Sequence, residues 1–332
     1  MPTNKYIYGL HDRGGHDQLK HEGEARGWVL HTAAISETSQ GVDMSQEAGM
    51  GLGTLVRLNW GYGSTGTIPP ASLWEEFYNR VRNYIATSKG VNHWIIGNEM
   101  NFSIEWPNGV KITPRIYADC FVGLRNRIRR EAGDTHKFLT GAIGPWNPEG
   151  SYGPDPKGKY DGNILPGGHG DYIVYFTDLL NVIGADNLDG VCIHAYTHGY
   201  DPQLIYSMDK MGPPFQAYYY HMKTYIDQCV AIPKTIVNKF ARVGEPFIYL
   251  TEMNGDRDPD GSTWPSANGW IQSAYGEIDW WNTHENDLCI ACAILFRWMN
   301  DPVGWGMEHK GDILGDLRQA VARGYKSDKI PF

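Results

Sequence analysis

Eight short apolar segments typical of β-strands alternate along the chain with longer segments that have the periodicity of amphipathic helices. The predicted strands are Lys5–Asp12, Trp28–Ile35, Thr54–Trp60, His93–Asn98, Phe138–Pro145, Leu188–Tyr196, Phe247–Glu252 and Leu288–Trp298. Eight strand–helix units favour a closed parallel barrel, because each strand then has a neighbour on both sides and no edge is exposed. We therefore expect an α/β fold, a single (β/α)8 TIM barrel that spans residues 1–332.

The segments between these strands predict helices. In the first of them, Leu73, Phe77, Val81 and Ile85 recur every four residues and form one apolar stripe. The predicted helices are Ala71–Ser88, Thr113–Glu131, Asp171–Ile183, Pro214–Val230, Ala267–His284 and Ile313–Gly324, with weaker ones after Asp12 and over Asp43–Gly49. An open doubly wound sheet would need a glycine fingerprint after the first strand, and Gly9–Gly15 does not match one.

A Gly- and Pro-rich segment, Trp146–Gly170, follows the fifth predicted strand. A domain boundary there is an alternative, but a new helix and strand continue the same alternation directly afterwards. We therefore expect an enlarged loop on the face of the barrel where such folds carry their active sites.

The charge balance excludes several classes of function. The 29 Lys and Arg against 38 Asp and Glu give a formal net charge of −9, which argues against nucleic-acid or membrane binding through a basic surface. No apolar run approaches the roughly 18 residues that span a bilayer. Met1–Leu10 lacks the features of a signal peptide, and because a mature secreted enzyme would look the same, the location stays open between cytoplasmic and secreted. The oligomeric state is not indicated.

The cysteines do not predict a disulfide framework or a cofactor site. Five cysteines are few and scattered, and Cys289 and Cys292 form a C-x-x-C motif inside an apolar predicted strand. An offset of three residues directs their side chains to opposite faces of that strand. We therefore expect them to pack in the core, with neither a metal nor another cofactor bound.

Two predicted strands end in glutamates. The fourth, HWIIGNEMN, carries Asn98 and Glu99 where its apolar run stops, and the seventh, FIYLTEMNG, carries Glu252 at the equivalent point. Burial of a carboxylate is costly unless it is paired or used. Because the carboxyl ends of all barrel strands meet at one face, the sequence predicts a pair of carboxyl groups there, the arrangement that glycoside hydrolysis uses.

Other strand ends add polar and aromatic groups to this face. His194 and Tyr196 are two positions apart in the sixth predicted strand, so that both side chains point to one side. Arg57 lies near the end of the third and is expected to keep Glu252 ionised through a charge-assisted hydrogen bond. Trp298 closes the eighth strand, where its indole is expected to stack on a sugar ring.

These residues resemble those of the retaining glycoside hydrolases of clan A, a superfamily of TIM barrels that includes cellulases, mannanases and β-glycosidases. The resemblance lies in GNE at 97–99, TE at 251–252, HAY at 194–196 and the tryptophan that ends the last strand. It concerns the clan and no subfamily, since Met100 follows Glu99 where the clan often has proline.

The resemblance implies a role for each matched residue. Glu99 corresponds to the acid/base and Asn98 to the residue that contacts the 2-hydroxyl group of the sugar. Glu252 corresponds to the nucleophile, Tyr196 to the hydroxyl group that touches it, and His194 to a neighbour in the site; Arg57 corresponds to the clan's early-strand arginine. The expected function is double-displacement hydrolysis of β-glycosidic bonds in an oligo- or polysaccharide.

Further candidate residues leave alternatives open. His11 and Asp12, with His16 and His21, raise the question of a metal site, but the pattern lacks the H-x-H of metal-dependent barrel hydrolases, so we expect His11 to line the first loop. Several tryptophans in or near predicted loops are candidate platforms for sugar rings: Trp60, Trp146, Trp264, Trp270 and Trp305, with Trp280 and Trp281 expected to pack instead because of their helical spacing. A carbohydrate-binding barrel without turnover is the main alternative function, and a metal-dependent hydrolase is the other.

Overall fold

The parallel sheet of this protein is a barrel. The computed structural model describes residues 3–145, 164–165, 169–170, 172–197, 199–207, 248–255, 263–264, 266–284 and 289–327. Its barrel strands are β1 (Tyr8–His11), β2 (Trp28–Ala34), β3 (Gly53–Asn59), β4 (His93–Ile96), β5 (Lys137–Thr140), β6 (Val191–Thr197), β7 (Ile248–Gly255) and β8 (Ile290–Leu295). Every predicted strand therefore has a counterpart, and the predicted barrel is confirmed.

The strands are parallel and hydrogen-bonded in the order β6-β7-β8-β1-β2-β3-β4-β5. Two hydrogen bonds join β5 to β6, from the Thr140 N–H to the Gly190 carbonyl at 3.3 Å and from the Cys192 N–H to the Thr140 hydroxyl at 3.3 Å. These contacts bring the two ends of the sheet together, so that the carboxyl ends of the strands surround one opening.

The barrel interior is filled by side chains. Trp28, His93 and Tyr249 meet in its lower part, with ring centroids 5.8 Å apart for Trp28 and His93 and 5.9 Å apart for His93 and Tyr249. The apolar side chains of this inner cluster are buried and belong to Trp28, Leu30, Leu55, Ile95, Leu139, Ala142, Cys192, Tyr249, Ala291, Cys292 and Ile294. Packing of this kind makes the barrel a solid core that supports the residues above it.

The helices surround the barrel. In the part of the chain that the structure describes, the α-helices are α1 (Ser45–Gly49), α2 (Trp74–Thr87), α3 (Pro114–Ala132), α4 (Tyr172–Ile183), α5 (Trp270–His284) and α6 (Gly311–Arg323). Helix α3 begins where predicted because the Thr113 side chain accepts a hydrogen bond from the Ile116 N–H at 3.2 Å. Helix α2 begins later than predicted, since Ala71–Leu73 form a 3-10 turn.

Three further predictions concern loops, cysteines and membranes. The predicted helix Pro214–Val230 lies outside the described residues, as does Trp146–Gly170 apart from a short antiparallel pair, Ile164–Leu165 with His169–Gly170. Cys289 and Cys292 are buried free thiols, as the core-packing interpretation predicted. Among the helices that the structure describes, none is long and apolar enough to cross a membrane.

Candidate active site

A pocket of about 500 Å³ opens at the carboxyl ends of the barrel strands. Six of the residues predicted for the site line it: His11, Arg57, Asn98, Glu99, Tyr196 and Glu252. The remaining lining residues are Thr32, Tyr62, Glu105, Phe296, Arg297 and Trp305. The barrel therefore brings residues from β1, β3, β6 and β7 and from the loop after β4 into one cavity.

Glu99 and Glu252 meet across this pocket. A carboxylate oxygen of Glu99, one of Glu252 and a ring nitrogen of His194 all lie within 4.8 Å of one another. Glu252 belongs to β7, where it pairs in register with His194 of β6. The backbone at Glu99 adopts the left-handed region with φ of 41° and is anchored by its N–H, which donates to the Ala142 carbonyl at 2.8 Å. A backbone held in this uncommon conformation at a pocket is typical of a functional site.

Both carboxylate oxygens of Glu252 accept short hydrogen bonds. The Arg57 Nη1 donates to Oε1 at 2.6 Å, and the Tyr196 hydroxyl donates to Oε2 at 2.6 Å. Burial by itself would raise the pKa of Glu252, but the ring of His194, the guanidinium of Arg57 and the Tyr196 hydrogen bond together hold that pKa below its usual value. The same carboxylate, with burial, raises the pKa of Tyr196 well above its ordinary value, so Tyr196 stays a donor.

His194 stands between the two glutamates. Its Nδ1 lies 2.9 Å from Glu99 Oε1 and 3.6 Å from Glu252 Oε2, and the side chain is fully buried. This distance places Nδ1 in a hydrogen bond with the Glu99 carboxyl group. His194 Nε2 has no hydrogen-bond partner among the described residues. The ring therefore orients Glu99 rather than lining the pocket itself.

A chain of hydrogen bonds from β1 supports Arg57. The Arg57 Nη2 lies 3.0 Å from His11 Nε2, which must accept because arginine only donates, and His11 Nδ1 then donates to Asp12 Oδ1 at 3.0 Å. Burial lowers the pKa of His11, in keeping with a neutral ring. Asp12 is held in turn by Arg297, whose Nε lies 2.7 Å from Asp12 Oδ2. These contacts fix the guanidinium of Arg57, which also donates to Asn98 Oδ1 at 2.7 Å.

Two predicted stacking tryptophans do not reach the pocket. Trp298 is 8% exposed, and its ring covers Gly14 and Gly15, so closely that a Cβ on Gly15 would lie 2.5 Å from it. Strand β8 ends at Leu295, so the alternation that would have directed Trp298 inward is lost before it. Trp60 is likewise 8% exposed, with its ring against Phe77. Both side chains are core residues, which corrects the interpretation of Trp298 and Trp60 as sugar platforms.

Other aromatic residues take that place. Phe296 directly follows β8 and Trp305 lies on the loop beyond it, with ring centroids 5.4 Å apart, and both line the pocket with the half-exposed Tyr62. The Trp305 Nε1 is buried without a hydrogen-bond partner in the part of the chain that is described. Another predicted platform, Trp146, lies outside the described residues.

Sequence reasoning also missed Glu105. It lies in the 3-10 turn Ser103–Glu105, on the same loop as Glu99, but no apolar run precedes it. It follows Glu99 on the loop after β4, and this closeness in sequence to a predicted site residue is the signal that points to it. Arg297 was missed for a similar reason, since it lies beyond the end of β8.

Glu99, His194 and Glu252 are the described residues whose spacing would allow a metal ion. Their chemistry does not suit one. Both oxygens of Glu252 are already engaged by Arg57 and Tyr196, and the positive guanidinium 2.6 Å from Glu252 would repel a second cation. The hydrogen bonds of Glu99 and Glu252 are instead made with protein side chains, those of His194, Arg57 and Tyr196.

Comparisons with known proteins give likeness of fold without likeness of sequence. No protein-family model and no curated protein matches the chain. Among solved structures, a glucosidase from Croceicoccus marinus is 12% identical with a TM-score of 0.56, covering 97% of this chain and 68% of that one. The endo-β-1,4-mannanase double mutant from Cellulomonas fimi is 12% identical with a TM-score of 0.53, covering 96% of this chain and 70% of that one.

A third solved structure is the family 26 β-mannanase from Bacteroides ovatus, 11% identical with a TM-score of 0.50, covering 99% of this chain and 90% of that one. At identities this low, the structural similarity is evidence of the fold alone. They agree with the strand order in giving this chain the architecture of a (β/α)8 TIM barrel.

Proposed function

We propose that this protein is a retaining glycoside hydrolase that cleaves β-glycosidic bonds of an oligo- or polysaccharide. The observation that carries the proposal is the approach of Glu99 and Glu252 to within 4.8 Å, oxygen to oxygen, across one pocket. Retaining enzymes hold their two carboxyl groups about 5 to 5.5 Å apart, whereas inverting enzymes need roughly 6.5 to 9.5 Å to admit a water molecule. The short separation favours the retaining mechanism.

The environment of each glutamate suits one role. Glu252, ionised beside Arg57, is the nucleophile that bonds to the anomeric carbon while the bond from that carbon to the leaving oxygen breaks. Glu99 gives its proton to that oxygen. Glu99 then takes a proton from water, which attacks the same carbon and releases Glu252.

The neighbouring groups serve these two steps. Arg57 and Tyr196 stabilise the charge of Glu252 before attack and after release, and they hold its carboxylate in one orientation. Asn98, fixed by Arg57, is available for a sugar hydroxyl. Phe296, Trp305 and Tyr62 offer aromatic faces to the sugar. Two solved structures of similar fold are named as β-mannanases and a third as a glucosidase, but a fold does not choose a substrate, so the glycan is left to experiment.

Two alanine variants test the proposal on soluble β-glucans, mannans and xylans and on aryl β-glycosides. Glu252→Ala removes the nucleophile and abolishes turnover of every substrate. Glu99→Ala lowers kcat on polysaccharides by about 10²- to 10⁴-fold, the usual contribution of general acid catalysis. It spares the first step on a dinitrophenyl glycoside, whose leaving group needs no proton, and so gives a burst of dinitrophenol. A matched control is Glu22→Gln, at a carboxyl group that is 82% exposed.

The outcomes separate the alternatives. Hydrolysis by both alanine variants at the parent rate would refute the assignment of the two glutamates. Glycan binding by the parent without release of sugar would instead indicate the carbohydrate-binding barrel. Loss of activity after chelation with EDTA, restored by a divalent cation, would indicate a metal-dependent hydrolase; we expect EDTA to have no effect, because Arg57 and Tyr196 occupy both oxygens of Glu252.

A further inference from the structure

A third carboxyl group, that of Glu105, lines the pocket and takes no part in the two catalytic steps. Its backbone is fixed on both sides. The Glu105 N–H donates to the Phe102 carbonyl at 3.0 Å, and the Glu105 carbonyl accepts from the Thr67 N–H at 2.9 Å. The turn that carries it is therefore joined to the loop after β3, and the position of its side chain in the pocket is determined by the fold.

The Glu105 carboxyl group is incompletely satisfied. Its Oε2 is buried and has no hydrogen-bond partner among the residues that the structure describes. The side chain also forms no ion pair within that part of the chain, although Arg57 lies in the same pocket. A buried polar atom left unpaired costs about 1 to 3 kcal/mol, so a ligand that offers it a hydrogen bond recovers that free energy on binding.

The surroundings favour the neutral form of this group. Burial and the nearby carboxyl groups of Glu99 and Glu252 raise the pKa of Glu105 to about 7, against the opposing effect of Arg57 on β3. In mildly acidic solution Glu105 is therefore a carboxylic acid, which can both donate and accept a hydrogen bond.

Asn98 relates Glu105 to the substrate. Its Oδ1 accepts a hydrogen bond from Arg57 at 2.7 Å, and Asn98 lines the same pocket as Glu105. The side chain that is expected to meet a sugar hydroxyl group is thus held by Arg57 in the pocket that Glu105 also lines. A sugar ring bound against Glu99 and Glu252 brings its hydroxyl groups to Asn98 and, next to it, to Glu105.

We propose that Glu105 is a third substrate-binding carboxyl group of this pocket, which hydrogen-bonds a hydroxyl group of the sugar beside Asn98 and so contributes to the choice of sugar. The inference rests on the proposed glycoside hydrolase function. A bound sugar displaces the water that would solvate an ionised Glu105, in the pocket that already holds the negative charge of Glu252. Binding therefore favours the protonated form, and affinity decreases as the pH rises through about 7.

Two variants of Glu105 test this contact. Glu105→Leu keeps the approximate volume and removes both hydrogen-bonding atoms, whereas Glu105→Gln keeps a donor and an acceptor but cannot ionise. With the best substrate of the glycan panel, we expect Glu105→Leu to raise KM about tenfold at pH about 5, the equivalent of one lost hydrogen bond. At pH about 5, Glu105→Gln should have the same KM as the parent. Between pH about 5 and about 9 the KM of the parent should rise, whereas that of Glu105→Gln should stay constant. Glu22→Gln, the surface control, should follow the parent at both pH values.

The readouts separate a binding role from a structural one. A merely structural Glu105 would lower the Tm of Glu105→Leu without the difference in pH profile between the parent and Glu105→Gln. An unchanged KM in Glu105→Leu, or a rise in KM with pH in Glu105→Gln as in the parent, overturns the inference.

Calorimetric titration separates this inference from the proposed function. If the parent cleaves nothing, the proposed function fails, and a β-linked glucotriose and a β-linked mannotriose then serve as probes of binding. Weaker binding to Glu105→Leu than to the parent still supports the contact. Equal binding to both, or binding of neither probe to the parent, overturns it.

Discussion

Arg57 Nη1 lies 2.6 Å from Glu252 Oε1, and both side chains are less than a tenth exposed. The pair joins β3 to β7 across the mouth of the barrel. Removal of one partner from a buried ion pair leaves the other charge without compensation. The charge state of the proposed nucleophile therefore depends in part on this guanidinium, and that dependence can be measured.

Substitution Arg57→Met removes the cation and keeps much of the side-chain volume. Arg57 lowers the pKa of Glu252, so its loss raises that pKa, by about 1 to 3 units for a neighbouring opposite charge. Because attack needs the ionised carboxylate, the acidic limb of the kcat/KM profile moves to higher pH. Arg57→Lys, which keeps the charge, should move it less. An acidic limb that stays in place in Arg57→Met would contradict the role of this pair.

Substitution Tyr196→Phe deletes one hydroxyl group, the donor to Glu252 Oε2 at 2.6 Å. A hydrogen bond to a charged group contributes about 1.5 to 3 kcal/mol, so we expect kcat/KM to fall about 10- to 100-fold while the circular dichroism spectrum is unchanged. Tyr206→Phe, at a tyrosine that is 47% exposed, is the matched control. Parent activity in Tyr196→Phe would mean that this bond does not assist the reaction.

Alanine substitution of the two tryptophans that follow β8 should affect substrate binding in one case and stability in the other. Trp305 lines the pocket, so Trp305→Ala should raise KM for an oligosaccharide by about 2- to 10-fold, the range of one aromatic contact. Trp298 is buried over Gly14 and Gly15, so Trp298→Ala should lower the free energy of unfolding by about 3 to 5 kcal/mol. Urea unfolding and steady-state kinetics on both variants provide the measurement; the opposite pattern would restore Trp298 as the sugar platform.

His93 makes the stability of the barrel sensitive to acid. Burial lowers the pKa of His93 from 6.5 to about 3, so the folded state keeps the ring neutral while the unfolded state takes up a proton below about 6.5. Its contribution to stability is present above the unfolded pKa and is lost as the pH falls, at up to about 1.4 kcal/mol per pH unit. His93→Phe should reduce this slope in urea unfolding between pH about 6.5 and about 4, relative to the parent and to a surface control, His21→Phe. An equal slope in all three proteins would exclude His93 as the cause.

The sequence predicted the barrel and the core of its site because both depend on local pattern. The alternation of strands and helices decides the topology, and a parallel barrel brings every strand end to one face, so Glu99 and Glu252 could be paired without coordinates. The same rule correctly joined Arg57, His194 and Tyr196 to them.

Residues beyond the strand ends could not be predicted in this way. Trp298 follows β8 by only three positions and is buried against Gly15, whereas Trp305 and Glu105, which lie on loops, line the pocket. By itself the sequence determined which segments form the barrel strands and which glutamates lie at their ends, because hydrophobic periodicity and burial are properties of short segments. The tertiary structure alone decided which loop side chains turn into the cavity, because the path of a loop depends on contacts between residues far apart in the chain.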